Sequence, residues 1–360
     1  MIYKAIGTMS GSSMDGLDVV LARFEEINGH WQFEILQSEC IPFNAYWQTT
    51  LSNITTLSAK ELLLAHANFG QWMGKAILSF IEKNELEHQV NLIASHGHTV
   101  FHEPQLGMTF QMGDGAHIAS LCKLPVITDL RNMDVALGGH GAPIVPIGEK
   151  LLWENYHCFL NIGGIANMTL YQNEKYSASD ICPANRILNA LSQKKGLAYD
   201  SDGVIASQGS LCVPLLEELN SLAYYQLPAP KSLSNEFGLQ HVLPLIEKYD
   251  LSIEDKMFTM CTHIVQQISQ SLKGNPHNIE KMFITGGGAF NTFLIQLLQQ
   301  ELNPLNIQIE IPDANIVSFK EALVMALIGI LRWREENNVL ASATGSIRNS
   351  VGGALWMGQE

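Results

Sequence analysis

A strand, a glycine-rich turn and a second strand follow one another twice in this chain, and this repeat is the strongest constraint on its fold. Residues 2–24 are predicted to form the first unit around the turn 10–16, and residues 158–172 the second around the turn 162–167. The residues of the two units differ. Because further strands and helices follow each unit, the pattern predicts an α/β protein with two related lobes.

A third glycine run, Gly286 to Gly288, follows the predicted buried strand 281–285. Glycine lets the backbone approach a ligand and turn its N–H groups inward, a geometry that suits phosphate. One such loop is more often only a tight turn, but three in one chain favour phosphate. The first loop lacks Gly-Lys-Ser/Thr, which excludes a P-loop, and residues 286–291 lack the GxGxxG spacing. The sequence therefore predicts a nucleotide held by several hairpin loops between two lobes.

The charge balance narrows the range of partners. The chain has 360 residues, with 21 basic against 35 acidic side chains and a formal net charge of −14. Such a chain is not expected to bind nucleic acid or an anionic membrane surface. Backbone amides and a metal ion can still neutralise a small phosphorylated ligand. At about 100–200 residues per domain, the length predicts two domains.

We expect a cytoplasmic protein. The N-terminal residues lack the basic region, apolar core and cleavage site of a signal peptide. The six cysteines include no CxxC pair, and their number is ordinary for reduced thiols. The longest clean apolar run, Ala322 to Leu331, is shorter than the about 20 residues that a bilayer requires.

Short motifs spread over nearly the whole chain carry a family resemblance. They are Ile6-Gly-Thr-Met-Ser-Gly-Ser-Ser-Met-Asp-Gly-Leu-Asp18, Ser95-His-Gly-His-Thr99, Phe110-Gln-Met-Gly-Asp114, Thr128-Asp-Leu-Arg-Asn-Met-Asp134, Gly138-Gly-His-Gly-Ala-Pro-Ile-Val-Pro146, Leu160-Asn-Ile-Gly-Gly-Ile-Ala-Asn167, Tyr199-Asp-Ser-Asp-Gly203, Pro230-Lys-Ser232, Thr285-Gly-Gly-Gly-Ala-Phe-Asn291, Glu321-Ala-Leu323 and Thr344-Gly345. With these motifs the chain resembles the anhydro-N-acetylmuramic acid kinases, which belong to the acetate and sugar kinase, heat-shock ATPase and actin superfamily.

The resemblance implies a fold and a reaction. The fold is α/β, with two ribonuclease-H-like lobes and a nucleotide cleft between them. Lobe I would comprise residues 1–146 and about 343–360, and lobe II residues 147–342. In the reaction, ATP phosphorylates O6 of 1,6-anhydro-N-acetylmuramic acid while water opens the anhydro ring. The products are N-acetylmuramic acid 6-phosphate and ADP, in peptidoglycan recycling. The resemblance also implies Mg²⁺ with ATP, lobe closure and a homodimer.

By the same resemblance, three loops bind the nucleotide. The first phosphate loop, whose backbone N–H groups would cradle phosphate, comprises Gly11, Ser12, Ser13, Met14, Asp15, Gly16, Leu17 and Asp18. Asp15 or Asp18 would hold Mg²⁺ through water, although Asp15 can equally be an Asx-type turn residue. The second phosphate loop contains Gly163 and Gly164, and the adenosine loop contains Gly286, Gly287 and Gly288.

Asp180 corresponds to the family's catalytic base. It begins the stretch Asp180-Ile-Cys-Pro-Ala-Asn185, where the family usually has Asp-Thr-Gly-Pro-Gly-Asn. We expect it to end a strand just before a helix that Pro183 can start, so that it can also cap this helix. The two roles are compatible, because a helix N-terminus keeps a carboxylate ionised. Cys182 and Ala184 replace two glycines, which predicts a reshaped loop.

The resemblance implies sugar contacts for His98, Thr99, Arg131 and Glu321. The Arg131 fork suits the lactyl carboxylate of muramic acid, and its alternative is a surface or interlobe salt bridge. Glu321 can instead complete a capping box over residues 318–321 before an apolar helix. His96 and His98 are two residues apart on a predicted strand, but the sequence offers no third metal ligand beside them.

Departures from the family pattern leave two alternatives open. The altered stretch 180–185, and the missing arginine in the segment 231–236, motivate a non-catalytic protein that binds ATP or sugar as a sensor. His98 stands where the family usually has Gln, which motivates a kinase of a different amino sugar. Release of ADP with the purified anhydro sugar would distinguish these two alternatives from a kinase of that sugar.

Overall fold

The computed structural model describes residues 1–11, 14–234, 236–273 and 279–358. The chain divides into two compact units. The first contains Met1–Glu154 and Phe319–Glu360, and the second contains Asn155–Ser318. Each unit has its own sheet and its own apolar core.

The first sheet has seven strands. They are β1 (Ile2–Ser10), β2 (Gly16–Ile27), β3 (His30–Pro42), β4 (Leu92–Glu103), β5 (Met108–Met112), β6 (Val126–Thr128) and β12 (Ala354–Trp356). The order is β12-β6-β4-β1-β2-β3, and β5 pairs with β4. Strands β1, β2 and β3 are antiparallel neighbours, whereas β4 runs parallel to β1 and β6 parallel to β4.

The second sheet repeats this topology. Its strands are β7 (Cys158–Ile162), β8 (Ile165–Gln172), β9 (Lys175–Pro183), β10 (Lys281–Thr285) and β11 (Gln308–Glu310), in the order β11-β10-β7-β8-β9. Again three antiparallel strands come first, and two later strands run parallel to the first of them. The two related α/β units expected from the sequence are therefore confirmed.

The helices of the described residues cover the sheets. They are α1 (Ala45–Ser52), α2 (Ala59–Lys83), α3 (Gly115–Cys122), α4 (Asn132–Ala136), α5 (Pro146–Leu152), α6 (Asn185–Gln193), α7 (Val204–Ser207), α8 (Val213–Asn220), α9 (Leu243–Glu247), α10 (Ile253–Leu272), α11 (Thr292–Leu302), α12 (Ala314–Trp333) and α13 (Ala341–Thr344). The buried apolar residues of helix α2 recur at a three-to-four spacing, and a capping box between Ser58 and Glu61 fixes its start.

Helix α5 and most of α12 belong to the first unit, although the sequence-based boundaries placed residues 147–342 in the second lobe. Lys320 of α12 and Glu149 of α5 form an ion pair of 2.9 Å whose side chains are only 5% and 3% exposed. Beside it, Gly148 packs directly on the Val324 side chain, where a Cβ would lie 2.4 Å from a methyl group. These buried contacts join the two helices within one core.

Helix α12 is long and apolar enough to cross a membrane by length and composition alone, but most of its apolar window is buried inside the protein. Ala326, Leu327 and Ile328 have no exposed surface. This burial is the pattern of a core helix.

Candidate functional site

The parallel strands of the first unit bring several predicted site residues to one edge of the sheet. Ser10, the last residue of β1, pairs with His98 of β4. Strand β4 continues to Glu103 and forms a hairpin with β5. Arg131 follows β6 closely. Because the carboxyl ends of parallel strands meet at one edge, the loop after β1 and these side chains lie on the same side of the unit.

The predicted first phosphate loop is shorter in the structure than in the sequence reading. Gly16, Leu17 and Asp18 already belong to β2 and pair with residues 42–40 of β3, and Leu17 is fully buried. The loop is therefore confined to residues 11–15, of which Ser12 and Ser13 lie outside the described residues. Asp15 is exposed, and its Oδ1 accepts the Gly16 N–H at 3.0 Å, so one carboxylate oxygen serves the turn.

Two other carboxylates of this unit act on Asp18. Burial raises the pKa of Asp18 to about 6, a hydrogen bond from Cys40 opposes that rise, and the negative charges of Asp15 and Glu321 add to it. A cation beside Asp18 would relieve this repulsion, so the cluster fits Mg²⁺. Within the described ranges, no three His, Cys, Asp or Glu side chains are grouped to hold a metal directly.

The capping-box interpretation of Glu321 is wrong. Helix α12 begins at Ala314, and Asp313 caps it, because its Oδ1 accepts the N–H groups of Asn315 and Ile316 at 3.0 and 3.1 Å. Glu321 therefore lies inside the helix, well past the first turn. Its carboxylate is not used as a cap and acts electrostatically on Asp18 and Arg131 instead.

A histidine holds Arg131 in place. The Arg131 Nε–H donates to His96 Nε2 at 2.8 Å, and Nη1 donates to the Gly141 carbonyl at 3.2 Å. His96 Nδ1 in turn donates to the Gly97 carbonyl at 2.9 Å. Since Nε2 must accept from an arginine, His96 is neutral and protonated on Nδ1. No ion pair among the described residues includes Arg131. Its hydrogen bonds to His96 and Gly141 thus take the place of the salt bridge considered as an alternative.

Burial and the Arg131 charge lower the pKa of His96 to about 3, and burial lowers that of His98 to about 4. His98 Nδ1 hydrogen-bonds the Ser10 hydroxyl at 2.8 Å, and its neighbour Thr99 is exposed. Both histidines are thus neutral hydrogen-bonding groups at neutral pH. Burial also lowers the pKa of Arg131 to about 10, against the nearby negative charge of Glu321.

The second unit gathers its glycine loops at one end of its sheet. Gly163 and Gly164 join β7 to β8, and their carbonyls accept the N–H groups of Asn185 and Ala184 at 3.1 and 2.8 Å. The run 286–288 follows β10, the parallel neighbour of β7. The turns after β7 and β10 and the start of α6 therefore converge.

The 286–288 loop requires glycine at two points. Gly286 has φ +82°, and a Cβ there would lie 2.6 Å from Asn161 Oδ1. A Cβ on Gly288 would collide with Ile162 at 2.2 Å, whereas one on Gly287 would meet only Asn185 Nδ2, at 3.6 Å. The backbone at Gly287 therefore borders open space, as an approach by a ligand requires.

Asp180 is not a helix cap. It lies within β9, which continues to Pro183, and the N-cap position of α6 is taken by Ala184, which makes no side-chain capping bond. Burial raises the pKa of Asp180, and the Leu233 N–H, which donates to Oδ2 at 2.8 Å, opposes that rise. The capping role was expected because the strand was predicted to end at Asp180, whereas β9 runs on to Pro183.

The stretch after Asp180 carries two side chains, Cys182 and Ala184, where the family usually has glycine. Neither Cys182 nor Ala184 is among the described residues with positive φ, and Ala184 has φ −129°. Both side chains are fully buried. Neither position therefore requires the left-handed φ that glycine supplies.

Sequence reasoning missed the segment that holds Asp180. The Asp180 N–H donates to the Lys231 carbonyl at 2.9 Å, and the Tyr224 hydroxyl donates to the Asp180 carbonyl at 2.8 Å. The sequence draws attention to Lys231 only through the family motif Pro230-Lys-Ser232 and through the arginine missing from the segment 231–236. Asn235, at the position of that arginine, lies outside the described residues. Most of these contacts use backbone atoms, which leave no signal in the residue types.

Comparison with known proteins adds an independent finding. A family model described as anhydro-N-acetylmuramic acid kinase matches residues 3–358. The protein of that name from Zymomonas mobilis is 33% identical over 317 residues, 83% of this chain and 84% of the relative. That from Nitrosomonas europaea is 30% identical over 363 residues, 98% and 99% of the two chains. Among solved structures, the activator of 2-hydroxyisocaproyl-CoA dehydratase from Clostridium difficile with bound ADPNP is 17% identical, with a TM-score of 0.45 over 90% of this chain and 93% of that one.

Proposed function

The chain belongs to the anhydro-N-acetylmuramic acid kinase family, and from this premise we propose the residues and the steps of its reaction. Water attacks the anomeric carbon of the anhydro sugar, the bond from that carbon to O6 breaks, and O6 takes the γ-phosphoryl group of ATP. The proton of the attacking water passes to a base, and ADP leaves. Because O6 is blocked as an ether in the substrate, ring opening and phosphoryl transfer must be closely coupled.

Asp180 is the proposed base, and its environment is the observation that carries the proposal. The attacking water needs a carboxylate on the face opposite the leaving oxygen, as in inverting glycoside hydrolysis. Burial raises the pKa of Asp180 above its ordinary value, which makes its carboxylate a stronger base than an exposed one. The Leu233 N–H binds Oδ2 and thereby fixes which oxygen is presented.

The glycine loops and the carboxylates of the first unit are proposed to bind Mg²⁺ with ATP. Phosphate would meet the backbone of residues 11–15, Gly163 and Gly164, and adenosine the loop 286–288. Asp15 and Asp18 would hold the ion through water, and the bound ion would neutralise phosphate charge. Support comes from the mutual repulsion around Asp18 and from the open space at Gly287.

The sugar is proposed to contact His98, Thr99, Arg131 and Glu321. Two N–H groups of Arg131 are held by His96 and Gly141, which fixes the plane of its guanidinium for a bidentate contact with the lactyl carboxylate. Glu321, free of any capping role, would accept from a sugar hydroxyl. We further propose lobe closure around a cleft, a cytoplasmic homodimer in peptidoglycan recycling, and no nucleic-acid or membrane partner.

The test measures ADP release with purified 1,6-anhydro-N-acetylmuramic acid, for the wild type, Asp180→Asn and Asp250→Asn. Removal of a general base typically costs about 10²–10⁴-fold, so kcat of Asp180→Asn should collapse while ATP still binds. Asp250 is an exposed carboxylate of the same unit, and its variant should match the wild type.

Three outcomes would contradict this proposal. Asp180→Asn with more than about a tenth of wild-type kcat means that the base lies elsewhere, since base removal is expected to cost far more. Binding of ATP and sugar without ADP release supports the sensor, and release only with another amino sugar supports the altered specificity.

A further inference from the structure

The segment 231–234 runs beside β9 and forms hydrogen bonds with two adjacent residues of that strand, Ser179 and Asp180. The Lys231 carbonyl accepts the Asp180 N–H at 2.9 Å, and the Lys231 N–H donates to Ser179 Oγ at 3.1 Å. Two residues further on, the Leu233 N–H donates to Asp180 Oδ2 at 2.8 Å. The main chain and the side chain of Asp180 are thus both held by the same short segment.

The segment is itself fixed at Lys231. The Lys231 ammonium donates to the Tyr224 carbonyl at 3.1 Å and lies 4.5 Å from the centre of the Tyr224 ring. The Tyr224 hydroxyl returns to the same place, because it donates to the Asp180 carbonyl at 2.8 Å. A closed loop of contacts therefore runs from Asp180 through Lys231 and Tyr224 back to Asp180.

We propose that residues 231–234 are a positioning strap for the catalytic carboxylate, in which the Leu233 amide holds Oδ2 so that Oδ1 faces the attacking water. The inference rests on the proposed role of Asp180. A carboxylate on a strand can rotate about its terminal torsion, which has broad, roughly two-fold preferences. One fixed N–H donor removes that freedom and also favours the anion over the acid.

The strap explains why the segment tolerates changed residues. Its two bonds to Asp180 use the backbone carbonyl of Lys231 and the backbone N–H of Leu233, so the side chains at 233 and 234 can differ without loss of either bond. Only the anchoring contacts with Tyr224 require a particular side chain, that of Lys231. The segment can thus depart from the family pattern and still hold the base.

Several titratable groups in the described part of the chain lie on Asp180's own strand or on the elements that pack against it. They are Tyr224 and Lys231 beside it and buried Cys182 on its own strand, while Cys261 and His263 are the buried titratable groups of α10, which packs on β9. His263 is bonded to Asn220 and Tyr225. Burial and the Leu233 amide are the causes that set the pKa of Asp180.

The test compares kcat against pH for the wild type, Leu233→Pro and Leu233→Ala. Proline has no N–H, whereas alanine keeps the donor and removes only the side chain. Loss of a hydrogen bond to a charged group should lower kcat of Leu233→Pro about ten- to hundredfold on the acidic side of the profile. Its acid limb should move to higher pH because the amide no longer favours the anion, and its plateau at high pH should stay below that of the wild type because Oδ2 is no longer held. A merely structural defect would lower the plateau without moving the limb. Leu233→Ala should keep the acid limb of the wild type.

Ser179→Ala supplies a second route if Leu233→Pro does not fold. It removes the hydroxyl that receives the Lys231 N–H and leaves every amide in place, so the acid limb should move the same way but less. The strap is overturned if the acid limbs of Leu233→Pro and Ser179→Ala both lie at the wild-type pH. If Leu233→Pro is unfolded, a limb at the wild-type pH in Ser179→Ala is enough to overturn it. Asp180→Asn distinguishes a failure of the strap from a failure of the proposed base. Full activity of Asp180→Asn would contradict the proposed base. Loss of activity in Asp180→Asn, together with acid limbs at the wild-type pH in the other variants, would contradict only the strap.

Discussion

Lowering the pH should destabilise the first unit through His96. This side chain is 2% exposed, and its Nε2 accepts from Arg131, an arrangement that only the neutral ring allows. Folding lowers the pKa of His96 from the ordinary 6.5 to about 3. A folded pKa below the unfolded one means that the unfolded chain takes up the proton first. The stabilisation is therefore complete above pH 6.5 and is lost progressively as the pH falls toward the folded pKa.

The size of the effect follows from these two values. At pH 5 most unfolded chains carry the proton and most folded chains do not, so a pKa difference of this kind costs about 2 kcal/mol relative to pH 7. His96→Gln should not show this loss. Glutamine cannot titrate, yet its amide can accept from Arg131 and donate to the Gly97 carbonyl. The wild type should thus lose about 2 kcal/mol more than His96→Gln between the two pH values.

Urea unfolding at the two pH values measures the difference. The six tryptophans, Trp31, Trp47, Trp72, Trp153, Trp333 and Trp356, all belong to the first unit, so their fluorescence reports on the unit that contains His96. His88→Gln is the matched control, because its side chain is exposed, and it should follow the wild type. Equal pH dependence in the wild type and His96→Gln would refute the reasoning, since a histidine that is already charged in the folded protein has no such linkage.

Steady-state kinetics test the proposed ligand contacts. Arg131→Ala should raise the KM for sugar about ten- to hundredfold with little change for ATP, because a hydrogen bond to a charged group is lost, and an unmoved sugar KM would make Arg131 structural. Glu321→Gln should lower activity without a fall in Tm, since Glu321 caps no helix, and full activity would remove it from the sugar site. Gly287→Ala should raise the KM for ATP but not for sugar, because the added methyl enters the space proposed for the nucleotide, where its one near neighbour is Asn185. A KM for ATP equal to that of the wild type would exclude nucleotide from that loop.

The strand-and-turn repeat could be predicted because period-two patterns and glycine turns are local in sequence. The helix starts were harder. Asp313 and Ser318 are both good caps on residue type, and only the fold decides for Asp313, five residues earlier. The role assigned to Asp180 as a cap failed for a related reason, since β9 does not end at Asp180 but runs on to Pro183. The strap could not be predicted at all, because backbone donors and acceptors are the same for every residue type except proline.

The two key carboxylates differ in what raises their pKa, and the difference fits two separate tasks. Burial and the negative charges of Asp15 and Glu321 act on Asp18, so that a nearby cation would lower its pKa again and favour the anion. At Asp180 burial alone raises the pKa, and the opposing influence is a neutral amide, that of Leu233. A cation would make Asp180 a weaker base, whereas a single N–H donor orients it and leaves most of its basicity. These two environments support the proposal that Asp18 holds the ion and Asp180 takes the proton.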